Sequence, residues 1–356
     1  MYAWLNTCNS SPTQKHSYHR SPHLSGACAD PHLTMHSAIT SISLFDSLVL
    51  KFRVWLARIT FSAIFLVRAM SSNPPEYTKF RPQRCFTIPS TSSPRKIRID
   101  VYEPKDFDKK KKYPVYLNLH GSGFMLDSMH GTDADFCRMI SDSTGAIVLD
   151  GGYAKGPEHP FPAAPNDIMD IIGYVLTNTE GYFDIDRIAI GGFSAGGALA
   201  ITANASLPKG TLKGVISIYP CVELSLKYAI ENPPVMSKGN VNSFPSNFIE
   251  MARDSYVPPG TDMQDPRLSP VHVPVSLIPE HILIIVCEED ALRDEAVEYG
   301  KKLKTEGVKV VLKEMKGIVH YWDKWAKIAE ETPTGIAKRE TYEAAVDMLN
   351  LVFKSH

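Results

Sequence analysis

No Cys-x-x-Cys pair occurs among the six cysteines, which stand at 8, 28, 85, 137, 221 and 287. That spacing writes neither a zinc knuckle nor a thioredoxin-type site, and it is too wide for a small disulfide-stapled scaffold. A reducing compartment fits this usage best. Charge of one sign is also missing: 38 Lys and Arg face 39 Asp and Glu, a formal net charge of −1. No overall basic field exists to hold nucleic acid. A run of about 20 apolar residues free of charge is absent too, so no membrane span is expected. What remains, with 44% hydrophobic and 22% charged residues over 356 positions, is the composition of a globular chain with a large core.

The first 40 residues stand apart. They hold His16, His19, His23, His32 and His36 among scattered Ser, Pro and Asn, with no apolar periodicity. A histidine-rich tract can bind metal, but a disordered tail or an overextended gene start is the preferred reading, with Met70 as an alternative start. Residues 41–70 then read as an amphipathic helix. At 100° per residue Asp46, Lys51, Arg53, Arg58 and Arg68 share one half of the wheel, and Leu48, Phe52, Trp55, Leu56, Ile59 and Leu66 the other. The preferred expectation is a helix packed on its own domain, the alternative a membrane-surface anchor. Localisation follows the same choice: cytoplasmic, with peripheral membrane attachment as the alternative.

Beyond Pro94 short apolar runs alternate with helical stretches. Val115–Leu119, Ala146–Asp150, Arg187–Gly192, Gly214–Tyr219, Ile282–Val286 and Val308–Leu312 read as buried strands. Asp167–Asn178, Ala195–Ala205, Arg293–Glu306 and Ile336–Phe353 read as helices, the third stopped by Gly307. This alternation predicts an α/β domain over 71–356, a mostly parallel sheet covered by helices on both faces. Residues 221–280 break the rhythm and read as an insertion.

The strongest local signal is Gly192-Phe193-Ser194-Ala195-Gly196, between an apolar strand and an alanine-rich helix. That is the setting of a nucleophile elbow, where a strained turn exposes the serine hydroxyl and larger side chains at the glycines would collide with their surroundings. A phosphate loop is excluded, because the Gly-Lys-Ser/Thr ending is missing. A serine needs a base and an orienting acid. Asp290 lies beyond the strand Ile282–Val286, and His320 lies in a loop beyond Val308–Leu312, giving the order Ser194, Asp290, His320. Glu289 is the alternative acid. His120-Gly121-Ser122-Gly123-Phe124 follows another strand, and its turn leaves backbone N–H groups free to join that of Ala195 around an oxyanion.

These motifs, with Tyr153–Ala164, Asp265-Pro-Arg-Leu-Ser-Pro and Asp290-Ala-Leu-Arg-Asp-Glu, make residues 95–355 resemble the hormone-sensitive lipase family of α/β-hydrolase esterases and lipases. The resemblance implies a triad of Ser194, Asp290 and His320. It also implies an oxyanion hole from the backbone of Gly121, Ser122, Gly123 and Ala195, and a helical cap built from 41–68 and 221–280. Three departures stand out. Ser122 replaces a family glycine, Lys155 stands in a segment where the family carries a bracing arginine, and Tyr321-Trp322 follow His320 in place of a smaller pair. Glu158 and His159 read as structural. The expected activity is hydrolysis of small-molecule esters with small to medium acyl groups, with no metal, organic cofactor or nucleic acid. An amidase or acyltransferase on the same residues, or a non-catalytic receptor on this fold, are the alternatives.

Overall fold

The computed structural model describes residues 44–225 and 246–354. The expected tail at 1–40 and the middle of the 221–280 stretch lie outside the described residues. Eight strands form one sheet: β1 (Arg84–Pro89), β2 (Lys96–Tyr102), β3 (Tyr113–Leu119), β4 (Ile147–Gly151), β5 (Phe183–Phe193), β6 (Gly214–Ile218), β7 (His281–Glu289) and β8 (Lys309–Val319). Their order is β1-β2-β4-β3-β5-β6-β7-β8. Only β2 runs against the rest, antiparallel to both β1 and β4, while β4, β3 and β5 to β8 pair in parallel.

Helices cover both faces, as the alternating pattern predicts. The described helices are α1 (Leu44–Ala69), α2 (Ala134–Thr144), α3 (Ala163–Thr177), α4 (Ala195–Thr202), α5 (Ser246–Tyr256), α6 (Arg293–Thr305) and α7 (Pro333–Lys354). Side chains alternate along each strand, so neighbouring residues feed different layers. Leu117, Ile190 and Ile284 pack with Ile168 and Ile172 of α3 and Leu303 of α6. Tyr116, Ala189 and Ile285 pack on the other side with Ile140 of α2 and Leu349 of α7. Gly307 at φ +91° turns the chain out of α6 as expected.

Two expectations need correction. Val308–Leu312 is not a buried strand: it opens β8, the sheet edge, where Val311 and Leu312 face solvent. β8 also continues to Val319, so the segment before His320 is strand rather than loop. The helix at α1 forms, but it is seated the other way round from its wheel. Its inward face is Leu50, Val54, Ala57, Phe61 and Phe65, against Met125, Met129, Met251 and Tyr321. Arg58, on the charged half, is the reason. Its Nε donates to Met125 O (2.8 Å), and its Nη2 donates to Gly156 O (2.9 Å) and Glu158 Oε2 (2.7 Å). The charged half is thereby drawn onto the domain.

Candidate active site

Ser194 stands at the end of β5, in the middle of the sheet, and opens α4. Its φ of +52° is a conformation that side-chain-bearing residues rarely adopt, and neighbouring backbone holds it there. Its N–H donates to Ile218 O (2.8 Å), and its carbonyl accepts from Ala198 N–H (3.0 Å). Glycines at 192 and 196 are obligatory. A Cβ on Gly192 would lie 2.3 Å from Leu119 O, and one on Gly196 would lie 2.0 Å from the same oxygen.

His320 follows β8 directly, and Asp290 follows β7, both at carboxyl ends of parallel strands. The structure brings all three side chains together. Ser194 Oγ lies 3.0 Å from His320 Nε2, and His320 Nδ1 lies 2.5 Å from Asp290 Oδ2. The other Asp290 oxygen accepts Leu292 N–H at 3.0 Å, so the carboxylate is held at both ends. The carboxylate at hydrogen-bond distance from Nδ1 is that of Asp290.

The segment after β3 wraps beside the serine. Gly123 takes φ +52° and Phe124 φ +57°. Among the described residues no backbone oxygen outside regular elements accepts from the N–H groups of Gly121, Ser122, Gly123 or Ala195. The Ser122 hydroxyl pairs with Tyr153 Oη at 2.9 Å, and Tyr153 Oη in turn donates to His120 O at 2.5 Å. The extra side chain at 122 thus ties the turn to the segment following β4. Above it, Gly123 faces Ala252 and Phe248 of α5.

The profile of a family described as the alpha/beta hydrolase fold matches residues 116–324. The chain belongs to that family. Carboxylesterase NlhH of Mycobacterium tuberculosis is 30% identical to this hydrolase over 258 residues, 68% of this chain and 77% of the relative. Ethyl acetate hydrolase of Pseudomonas putida is 28% identical over 245 residues, covering 67% and 76%. Among solved structures, a hyperthermophilic esterase from the archaeon Pyrobaculum calidifontis superposes with a TM-score of 0.71 at 26% identity. That superposition covers 87% of this hydrolase and 98% of the archaeal chain.

Sequence reasoning missed the groups that hold the His320 segment of this hydrolase in place. Tyr219, at φ +40°, sets its ring 4.6 Å from the His320 ring and donates its hydroxyl to Asp323 (2.6 Å). Lys324 is fully buried, pairing with Asp323 at 2.6 Å and with Asp133. Asn118 Nδ2 donates to Asp133 and to Asp150 at 3.0 and 2.9 Å, completing a polar chain from β4 to the residues after β8. Burial opposes the Lys324 charge, yet the two carboxylates hold its pKa above the usual lysine range. Burial, only partly offset by Lys324, pushes the Asp133 carboxyl up. The signal available in the sequence was a charged pair, Asp323-Lys324, between Trp322 and Trp325.

His120, His130 and Asp150 are the one group of three metal-capable side chains among the described residues, with their nearest donor atoms within 4.8 Å of one another. His130 Nε2 lies 3.1 Å from Asp100, and although burial opposes it, Asp150 and Asp100 raise its pKa. Burial pushes His120 well below the usual histidine range. The group is a buried polar cluster behind the 120–124 turn, with His130 held by Asp100 and His120 stacked on Tyr153.

Proposed function

We propose that the protein is a carboxylic-ester hydrolase in which Ser194 is the nucleophile, His320 the general base and Asp290 the residue that orients it. The observation carrying this reading is the chain of contacts from Ser194 Oγ to His320 (3.0 Å) and on to Asp290 (2.5 Å). His320 Nε2 takes the Ser194 proton as the oxygen attacks the ester carbonyl. The oxyanion is met by the N–H groups of Gly121, Ser122, Gly123 and Ala195. Collapse of the tetrahedral intermediate returns the proton to the departing alkoxide and leaves an acyl-serine. Water, deprotonated by the same imidazole, then releases the acid. Asp290 keeps Nδ1 protonated and stabilises the imidazolium.

The relatives named esterases and ethyl acetate hydrolase favour esters over amides and small to medium acyl groups. Packing at the site supports the same acyl range, since Phe248 and Ala252 stand over Gly123 and Tyr256 stacks on Phe124 of the same turn (4.0 Å). We assign α1 and α5 as its cap.

Hydrolysis of p-nitrophenyl esters from acetate to palmitate, by wild type and Ser194→Ala, tests the proposal. Ser194→Ala should lose about 10⁶-fold in kcat, with the wild-type optimum among the shorter chains. A folded wild type inert on every ester, or one matched by Ser194→Ala, overturns it in favour of an amidase or a receptor.

A further inference from the structure

The helix α1 has two apolar faces, and among the described residues its own domain covers only one. Phe45, Leu48, Phe52, Trp55, Ile59 and Leu66 point outward, each between 46% and 73% exposed. At 100° per residue they fall in an arc of about 120° that holds no polar side chain. From Phe45 to Leu66 the stripe runs for roughly 32 Å along the helix. Isolated exposed apolar residues are ordinary, but a continuous stripe of this length is not.

We propose that this face of α1 seats the protein on a lipid surface bearing anionic headgroups. Exposed cations border the arc on both sides, Lys51 on one and Arg53 on the other, and Asp46 is the only acid in the helix. Phe52 and Trp55, ring centroids 5.8 Å apart and stacked, occupy the stripe between them. Aromatic residues on an apolar face flanked by basic residues are what a helix lying in a lipid interface requires. A second copy fits less well, because two such faces would set cationic borders against cationic borders. The inward side of the same helix packs on Met125, just past the 120–124 turn, and on Tyr321, next to His320. A lipid seat therefore brings Ser194 to the phase in which apolar esters dissolve. That last point rests on the reading of Ser194 and His320 above, whereas the binding itself does not.

Flotation of the full chain with phosphatidylcholine vesicles, with and without phosphatidylglycerol, scores protein rather than turnover. Failure here is thus separable from failure of the esterase reading. The wild type should float with the anionic vesicles, and less so at high salt. Phe52→Asp combined with Ile59→Asp should weaken binding by at least about tenfold, while hydrolysis of a short water-soluble ester stays at the wild-type level. A double variant that floats as well as wild type overturns the proposal. So does a wild type that never floats. In that case light scattering tells whether the face joins two copies, as a dimer dissolved by the same substitutions, or is covered by the chain itself, as a monomer.

Discussion

Replacing Lys324 by Met keeps a side chain of similar length while deleting one fully buried ammonium from between Asp133 and Asp323. The two carboxylates keep neutral partners, Asn118 on one and Tyr219 on the other, but their compensating charge is gone. Breaking a buried pair in this way costs about 3–5 kcal/mol. For a domain of this size that lowers Tm by about 5–8 °C. The loss must also depend on pH. Burial already pushes the Asp133 carboxyl up in wild type, and without Lys324 it rises further. A carboxyl with a raised native pKa binds more protons folded than unfolded, so its stability is present at low pH and lost as pH rises through that pKa. The deficit of Lys324→Met should therefore be smaller at pH 5 than at pH 8, read by thermal or urea unfolding at both. Because Asp323 anchors Tyr219, whose ring packs on His320, kcat should also fall at temperatures where the variant is fully folded. An equal deficit at both pH values, or none, would refute the charge argument. Addition of Asp133→Asn to the variant should recover part of the loss.

Glu295 is buried with its carboxylate accepting Val222 N–H at 2.7 Å, and burial raises its pKa to about 8. The folded state therefore holds a proton that the unfolded state releases above its ordinary carboxylate range, and the Glu295 contribution to stability falls as pH rises from 5 to 7 by about 2–3 kcal/mol. Glu295→Gln should flatten that slope, and unchanged slopes in urea titrations would sink the idea. The window stops at 7 because burial lowers Lys155 to about 7, and its stability contribution runs the opposite way above that pH. Tyr153→Phe removes the hydroxyl that joins Ser122 to His120 O. We expect about 1–2 kcal/mol less stability and about a tenfold lower kcat with KM little changed; a wild-type kcat would show the turn needs no such tie.

The central strands β3 to β7 were legible because strands buried on both faces must be apolar at successive positions. The turn at Ser194 was legible for a related reason, since only glycine survives 2.0–2.3 Å from the Leu119 carbonyl. β1 and β2 escaped notice: they alternate polar and apolar residues at the antiparallel side of the sheet, and Arg84, Arg98 and Lys96 mask the apolar half. α2 was hidden by its acids and serines, although Cys137, Ile140 and Ser141 all lie inward. On α1 the wheel offered two apolar arcs. What selected the narrower one is the acceptor set that receives Arg58, and those acceptors lie 67 to 100 positions away. The rest of the Lys324 network was illegible for the same reason: Asp323 is its neighbour in the chain, but Asp133, Asn118 and Asp150 lie far back in the sequence.

Ser194 and His320 are 126 positions apart, and the histidine directly follows β8, ahead of α7. The serine turn can be complete while the proposed base is still being synthesised. A nascent chain stalled before β8, or one clipped within it, carries the Ser194 hydroxyl without the histidine proposed to deprotonate it. On the proposed reading of His320, ester cleavage is in that sense a proofread event, open to chains that have docked β8 at the edge of the sheet.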